Sequence, residues 1–175
     1  WRQIRDGKGH TPPVTLRTVA ELSEQYAFFH WHLQFPQVFR RGGFDVILGN
    51  PPWEQMELQE QQWFAARRPD IAGAANAAER KRRIADLASD DPALHGEFCS
   101  ALRRVDGETH FLRSSRRFPA CARGRINTYA VFAEHNSSSL GPLGRAGFIV
   151  PSGIATDDTT KDYFHSLVSE GHLLS

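Results

Sequence analysis

Asn50, Pro51, Pro52 and Trp53 follow directly on the apolar run Phe44-Asp45-Val46-Ile47-Leu48-Gly49. Their types and order could do one kind of chemistry. Asn50 offers a side-chain carbonyl oxygen, and Pro51 a backbone carbonyl whose direction is fixed by the ring. Two convergent acceptors suit an exocyclic amino group, which carries two N–H donors. Trp53 supplies a flat face on which a base can stack. Neither proline has a backbone N–H, and each holds the residue before it extended, so the segment is a stiff turn.

Other chemistry-bearing sets carry less. Pro69-Asp70 followed by Glu79-Arg80-Lys81 matches a Pro-Asp…Glu-x-Lys nuclease pattern. That chemistry needs two carboxylates on a metal ion, on adjacent strands. Here Glu79 and Lys81 lie in an Ala-rich, helix-forming stretch, so no nuclease site is expected. His30 and His32 flank Trp31 and point to different sides of a helix, and no metal site is expected there. Arg2, Arg5 and Lys8 surround Gly7 and Gly9 without Walker spacing. Cys99 and Cys121 stand alone, with no Cys-x-x-Cys, which speaks against a disulfide framework or a zinc site.

The 175 residues are 40% hydrophobic and 23% charged, enough for one soluble globular domain with a real core. No apolar run approaches the ~18 residues of a membrane span, and no signal peptide is visible. A cytoplasmic location is expected. The chain starts at Trp1 rather than Met and is expected to be part of a larger polypeptide. Net charge is +1, unevenly spread. Residues 67–125 carry 13 Lys/Arg against 8 Asp/Glu, while both flanks are negative. A basic middle in a near-neutral chain suits a local polyanion contact.

The elements around the turn can be read from periodicity. Residues 1–17 read as loop. Thr18 and Glu21 form a capping-box pattern that opens a helix to Leu33, with Val19, Leu22, Tyr26, Phe29 and Leu33 on one face. Gly42-Gly43 turns the chain into a buried strand from Phe44. Residues 57–66 and 74–88 read as helices. Asp91 can cap a further helix with Pro92 at its first position, a stripe of Leu94, Phe98, Ala101, Leu102 and Val105, and an end near Gly107. Residues 107–124 read as a loop bearing Arg113, Arg116, Arg117 and Arg123, interleaved with Phe111 and Phe118. That pattern suits a nucleic-acid surface or a loop anchored on the core by its rings.

The run Phe-Asp-Val-Ile-Leu-Gly-Asn-Pro-Pro-Trp resembles the DNA adenine-N6 methyltransferases of restriction–modification systems, and among them the Eco57I-like (type IIG) methylases. Asn127-Thr128-Tyr129-Ala130-Val131-Phe132 is similar to that family's Asn-x-Tyr-x-x-Phe helix. Gly141–Gly144 matches its following turn, and Gly147–Ser152 its next buried strand. A last helix is expected, capped by Thr156 or Asp157, with Tyr163, Phe164, Leu167 and Val168 inside and Gly171 as its stop. His172-Leu173-Leu174 would begin another strand. The resemblance covers about 22–53 and 124–174.

It implies an α/β fold, part of a doubly wound Rossmann-like methyltransferase sheet with a helical basic insertion at 57–123. Ligands of such sheets sit beyond the carboxyl ends of strands, where Asn50 lies. It further implies methyl transfer from S-adenosylmethionine to N6 of a flipped adenine in double-stranded DNA. Asn50, Pro51, Pro52 and Trp53 would form the catalytic turn, while the basic pattern of the insertion, rather than the resemblance, marks Arg113, Arg116 and Arg117 as expected nucleic-acid contacts. The family's Phe-x-Gly-x-Gly cofactor loop is not found before Asn50, nor is a target-recognition domain. The chain is therefore expected to be an incomplete catalytic domain, inactive alone, with no cofactor-binding residues assignable. The alternatives are an amino-methyltransferase acting on RNA guanine or protein glutamine, and a non-catalytic DNA-contacting piece of a restriction enzyme.

Overall fold

The computed structural model describes residues 12–174, which fall into two compact units, the first ending at Phe44 and the second beginning at Asp45. In the first, helix α1 (Pro13–Tyr26) starts on a proline, whose fixed φ suits a first helical turn. It stops at Ala27, left-handed at φ 45°, whose N–H donates to Ser23 O. The helix expected over 18–33 is thus displaced. Pro13 takes over the start, Thr18 lies inside the helix rather than at its cap, and Phe29 and Leu33 fall beyond its end. Residues 13–17, expected as loop, are helical, and the rest of that expected loop, 1–11, lies outside the described residues.

Two single turns follow, α2 (Trp31–Gln34) and α3 (Pro36–Phe39), separated at Phe35 because Pro36 cannot continue α2. Trp31, Phe35 and Phe39 meet Phe44 edge-on, with ring centroids 5.7, 5.7 and 5.5 Å away. His32 stacks on Phe39 at 3.8 Å. Gly42 and Gly43 take φ of 105° and 130°, open to glycine and strained for other residues, and so form the turn expected there.

Strand β1 (Phe44–Gly49) pairs with β2 (Leu140–Phe148) in a two-stranded parallel sheet, extended by Ile149 N–H donating to Gly49 O at 3.1 Å. Two expectations change here. β1 is not fully buried, since Val46 and Leu48 are exposed; one neighbouring strand leaves most of its apolar surface uncovered. β2 begins at Leu140 and takes in Gly141–Gly144, expected as a turn, and it ends at Phe148 rather than running on to Ser152. Pro142 is tolerated because β2 pairs with one strand among the described residues, and an edge strand does not need every N–H.

The segment after the turn is helical: α4 (Glu60–Ala65), α5 (Pro69–Ala72), α6 (Ala77–Asp90) and α7 (Pro92–Ser114). The Asn76 side chain accepts from Glu79 N–H at 2.8 Å and caps α6. Asp91 accepts from Leu94 N–H at 3.0 Å and caps α7, with Pro92 at the first position, as expected. α7 runs through Gly107 to Ser114, so irregular chain begins at Ser115 rather than at 107. A mid-helix glycine costs about 1 kcal/mol against alanine. Thr109 Oγ1 donating to Met56 O at 3.3 Å, and Leu112 against the core, help hold these last turns.

Phe64, Ile71, Ile84, Leu87 and Phe98 form a core belonging to α4–α7. Leu102, expected in the apolar stripe, is exposed. A second core joins the irregular stretch after α7 to α8 (Thr128–Ser138) and α10 (Lys161–Ser169) through Phe118, Cys121, Ile126, Tyr129, Ala130 and Tyr163. Between them lies α9 (Gly153–Thr156). Thr160, not Thr156 or Asp157, occupies the cap position of α10, because the single turn α9 uses up the earlier residues. Gly171 ends the helix region at φ 68°, as expected. Val168 is exposed, since the helix buries only one side. Residues 172–174 are irregular rather than a strand, and the N–H groups of His172 and Leu173 turn back onto Leu167 O.

Candidate active site

β1 ends at Gly49, and the two prolines prevent its continuation. Asn50 is exposed at the strand's exit and Pro51 is buried, so the acceptor side chain faces outward from an anchored ring. Trp53 is 53% exposed. Its Nε1–H donates to Ile149 O at 3.3 Å, which ties the indole to the residue following β2.

The start of α8 supplies the other fixed points. Thr128 Oγ1 donates to Pro52 O at 2.7 Å and accepts from Glu54 N–H at 3.0 Å. Thr128 N–H donates to Glu54 O at 2.8 Å, and Met56 N–H to Ile126 O at 3.0 Å. Gln55 and Asn127 form an antiparallel bridge. The turn is thus clamped between β2 and α8. Thr128 is the residue that sequence reasoning passed over, because it stands at the unspecified place of the Asn-x-Tyr pattern. A threonine at a helix start was the available signal.

Tyr129, the next residue, is buried in the second core. Burial raises its phenol above the ordinary range, and the adjacent, hydrogen-bonded Asp157 raises it further. Burial likewise pushes the Cys121 thiol far up, helped by the charge of Glu134. The Glu134 carboxylate accepts from the N–H groups of Ala120 and Cys121 at 3.0 and 2.8 Å. Both groups, the Tyr129 phenol and the Cys121 thiol, stay protonated and neutral near pH 7. Glu57 is held below the usual carboxylate range by its hydrogen bonds from Arg125 and Gln59.

An open cleft of about 730 Å³ runs from Trp53 to Trp63, bordered by Glu54, Gln55, Glu57 and Gln59. A cavity of about 610 Å³ beside β2 and α10 contains none of Asn50–Trp53. The three arginines expected to meet nucleic acid lie at and just beyond the end of α7. Arg113 Nη2 donates to Gly124 O at 2.6 Å and so braces the irregular stretch. Arg116 is exposed in a left-handed turn at φ 59°, and Arg117 is exposed with its guanidinium 5.9 Å from the Phe118 ring. Phe118 is core, whereas Phe111 is exposed.

The residues of the nuclease-like pattern are held by arginines. Arg68 forks onto Asp70 with two bonds of 2.9 Å, and Glu79 pairs with Arg83 while serving the start of α6. Lys81 lies on α6, not on a strand. Among the described residues no group of three or more His, Cys, Asp or Glu is placed to hold a metal, and no helix is long and apolar enough to cross a membrane.

Two acceptors beside an anchored, half-exposed indole are suited to an amino group on a flat ring, and comparison with known families supports the class of DNA methyltransferase. Residues 5–85, just under half of the chain, match the Eco57I restriction-modification methylase family. The matched range takes in α1 to α3, β1, the Asn50–Trp53 turn, α4, α5 and α6 as far as residue 85. Methylases of this kind use S-adenosylmethionine in general. No curated protein matches the chain, and no solved structure matches it.

Proposed function

We propose that the Asn50–Trp53 turn serves methyl transfer to N6 of an adenine in double-stranded DNA. The observation that carries this reading is the turn itself: an exposed carboxamide, a rigid Pro51 carbonyl and a fixed indole, next to each other at the end of a parallel strand. In a doubly wound sheet, ligands gather at that end. The target base has to leave the duplex to be reached. Trp53 stacks on it, worth about 1–3 kcal/mol by analogy with other base–aromatic contacts. Asn50 Oδ1 and the Pro51 carbonyl accept from the two N6 protons, which directs the nitrogen lone pair away from the turn. No covalent bond to the protein is needed.

S-adenosylmethionine, when bound, supplies the methyl group. The described residues offer no Gly-rich loop ahead of Asn50: Gly42 and Gly43 are spent on the turn into β1. No residue is therefore assigned to hold it. The test is Asn50→Ala in the intact protein, with labelled methyl donor and duplex DNA. Wild type is expected to place label in N6-methyladenine. The variant is expected to keep DNA binding and lose single-turnover methylation, because the amide oxygen acts most strongly as N6 gains positive character. Normal single-turnover methylation by the variant sinks the mechanism, and label appearing in RNA guanine or protein glutamine moves the substrate.

A further inference from the structure

We infer that Thr128 is a positioning residue for the Asn50–Trp53 turn. This rests on the function proposed above. Residues 50–54 form no regular structure, and prolines at 51 and 52 supply no N–H with which the turn could hold itself. Its geometry must be imposed from outside. One hydroxyl does much of this: it donates to the carbonyl of Pro52 and accepts from the N–H of Glu54, closing a bridge over Trp53.

The backbone of Thr128 adds a third bond, to Glu54 O. The Pro52 carbonyl that receives the hydroxyl belongs to the peptide immediately after the Pro51 carbonyl, so its direction and that of the proposed N6 acceptor are coupled through one proline ring. Trp53 sits inside the bridge, its indole fixed at the far end to Ile149 O. Acceptor and stacking face are thereby held in one mutual orientation. Sequence pattern does not require this residue, since the Asn-x-Tyr motif leaves its place open. The clamp is a property of this chain's own threonine.

Misplacing a reacting group by about 1 Å can lower a rate on the order of 100-fold while the substrate stays bound. Thr128→Val keeps the shape and removes the hydroxyl; Thr128→Ser keeps the hydroxyl and removes the methyl. Measured in the intact protein, Thr128→Val is expected to lower the single-turnover methylation rate roughly 10- to 100-fold, with the Kd for duplex DNA within about twofold of wild type. Thr128→Ser is expected to recover most of the rate. A purely structural role would instead move melting temperature and leave the rate per folded molecule intact. If Thr128→Val does not fold, Thr128→Ala is measured in its place with the same expectation. A wild-type rate in the hydroxyl-free variant, or equal losses in the Val and Ser variants, overturns the assignment. Asn50→Ala run alongside separates the two claims. Its loss of turnover together with a normal Thr128→Val rate removes only the role of Thr128, whereas normal rates in both remove the site and the role of Thr128 with it.

Discussion

Trp53 combines two properties that a core tryptophan does not: its indole N–H is fixed to Ile149 O, yet about half of its surface is open. Trp53→Ala should therefore lower the population of extruded base, read with 2-aminopurine at the target position, while Trp53→Phe keeps much of the signal because a ring remains to stack on. Its stability cost should fall well below the ~3–5 kcal/mol of truncating a buried aromatic, which thermal unfolding checks. The two cysteines differ in the opposite way. Cys99 is exposed on α7, and Cys121 is buried with its thiol held protonated by desolvation and by Glu134. Only the thiolate reacts. A thiol reagent at pH 7 should label one cysteine in the native chain and both in denaturant, with peptide mapping placing the first label at Cys99.

Between the turn and Arg113 the helices keep a core of their own, built on Phe64, Ile71, Leu87 and Phe98. Two of these helices, α6 and α7, start on side-chain caps, Asn76 and Asp91. Asp91→Ala removes the acceptor for Leu94 N–H and should destabilise by about 1 kcal/mol. The joint at α9 is tighter. A Cβ at Gly153 would lie 2.5 Å from Asp157 Oδ2 and 2.9 Å from Tyr129 Oη. Gly153→Ala must push apart that hydrogen-bonded pair, for about 1–3 kcal/mol of overpacking strain. Chemical denaturation of both variants tests these values, and a neutral Gly153→Ala would mean that the Asp157 side chain simply swings away.

At the scale of the whole molecule, the +5 excess of residues 67–125 is smaller in effect than in count. Arg68, Arg80, Arg83, Arg104, Arg123 and Arg125 each pair with a carboxylate. Arg116 and Arg117 are exposed and form no ion pair among the described residues, which makes them the more available phosphate contacts of the expected three. Replacing both with alanine should weaken DNA binding in the intact protein and flatten the salt dependence, by about 0.9 in slope for each phosphate no longer neutralised. An unchanged slope would show that they only solvate the turn after α7.

The local chemistry of this chain was legible without coordinates. Pro-Pro after an apolar run ends a strand whatever surrounds it, Gly42-Gly43 bends because glycine tolerates positive φ, and Asp91-Pro92 starts a helix through one side-chain acceptor and one fixed φ. Residue type alone nominated Asn50 and Trp53 for the proposed amino-group site, which the Asn50→Ala experiment tests. What sequence periodicity missed depends on partners distant in the chain. Gly107 does not end α7, helped by Thr109 reaching Met56 and by Leu112 resting on the core. β2 absorbs Pro142 and its glycines because pairing with β1 over a long separation outweighs weak strand propensity. Val46 and Leu48 read as buried because composition reports affinity for a core, not whether neighbouring strands are there to make one. The clamp of Thr128 on Pro52 and Glu54 lay out of reach for the same reason: a hydroxyl with many possible partners acquires this acceptor and this donor only when α8 is brought against the turn.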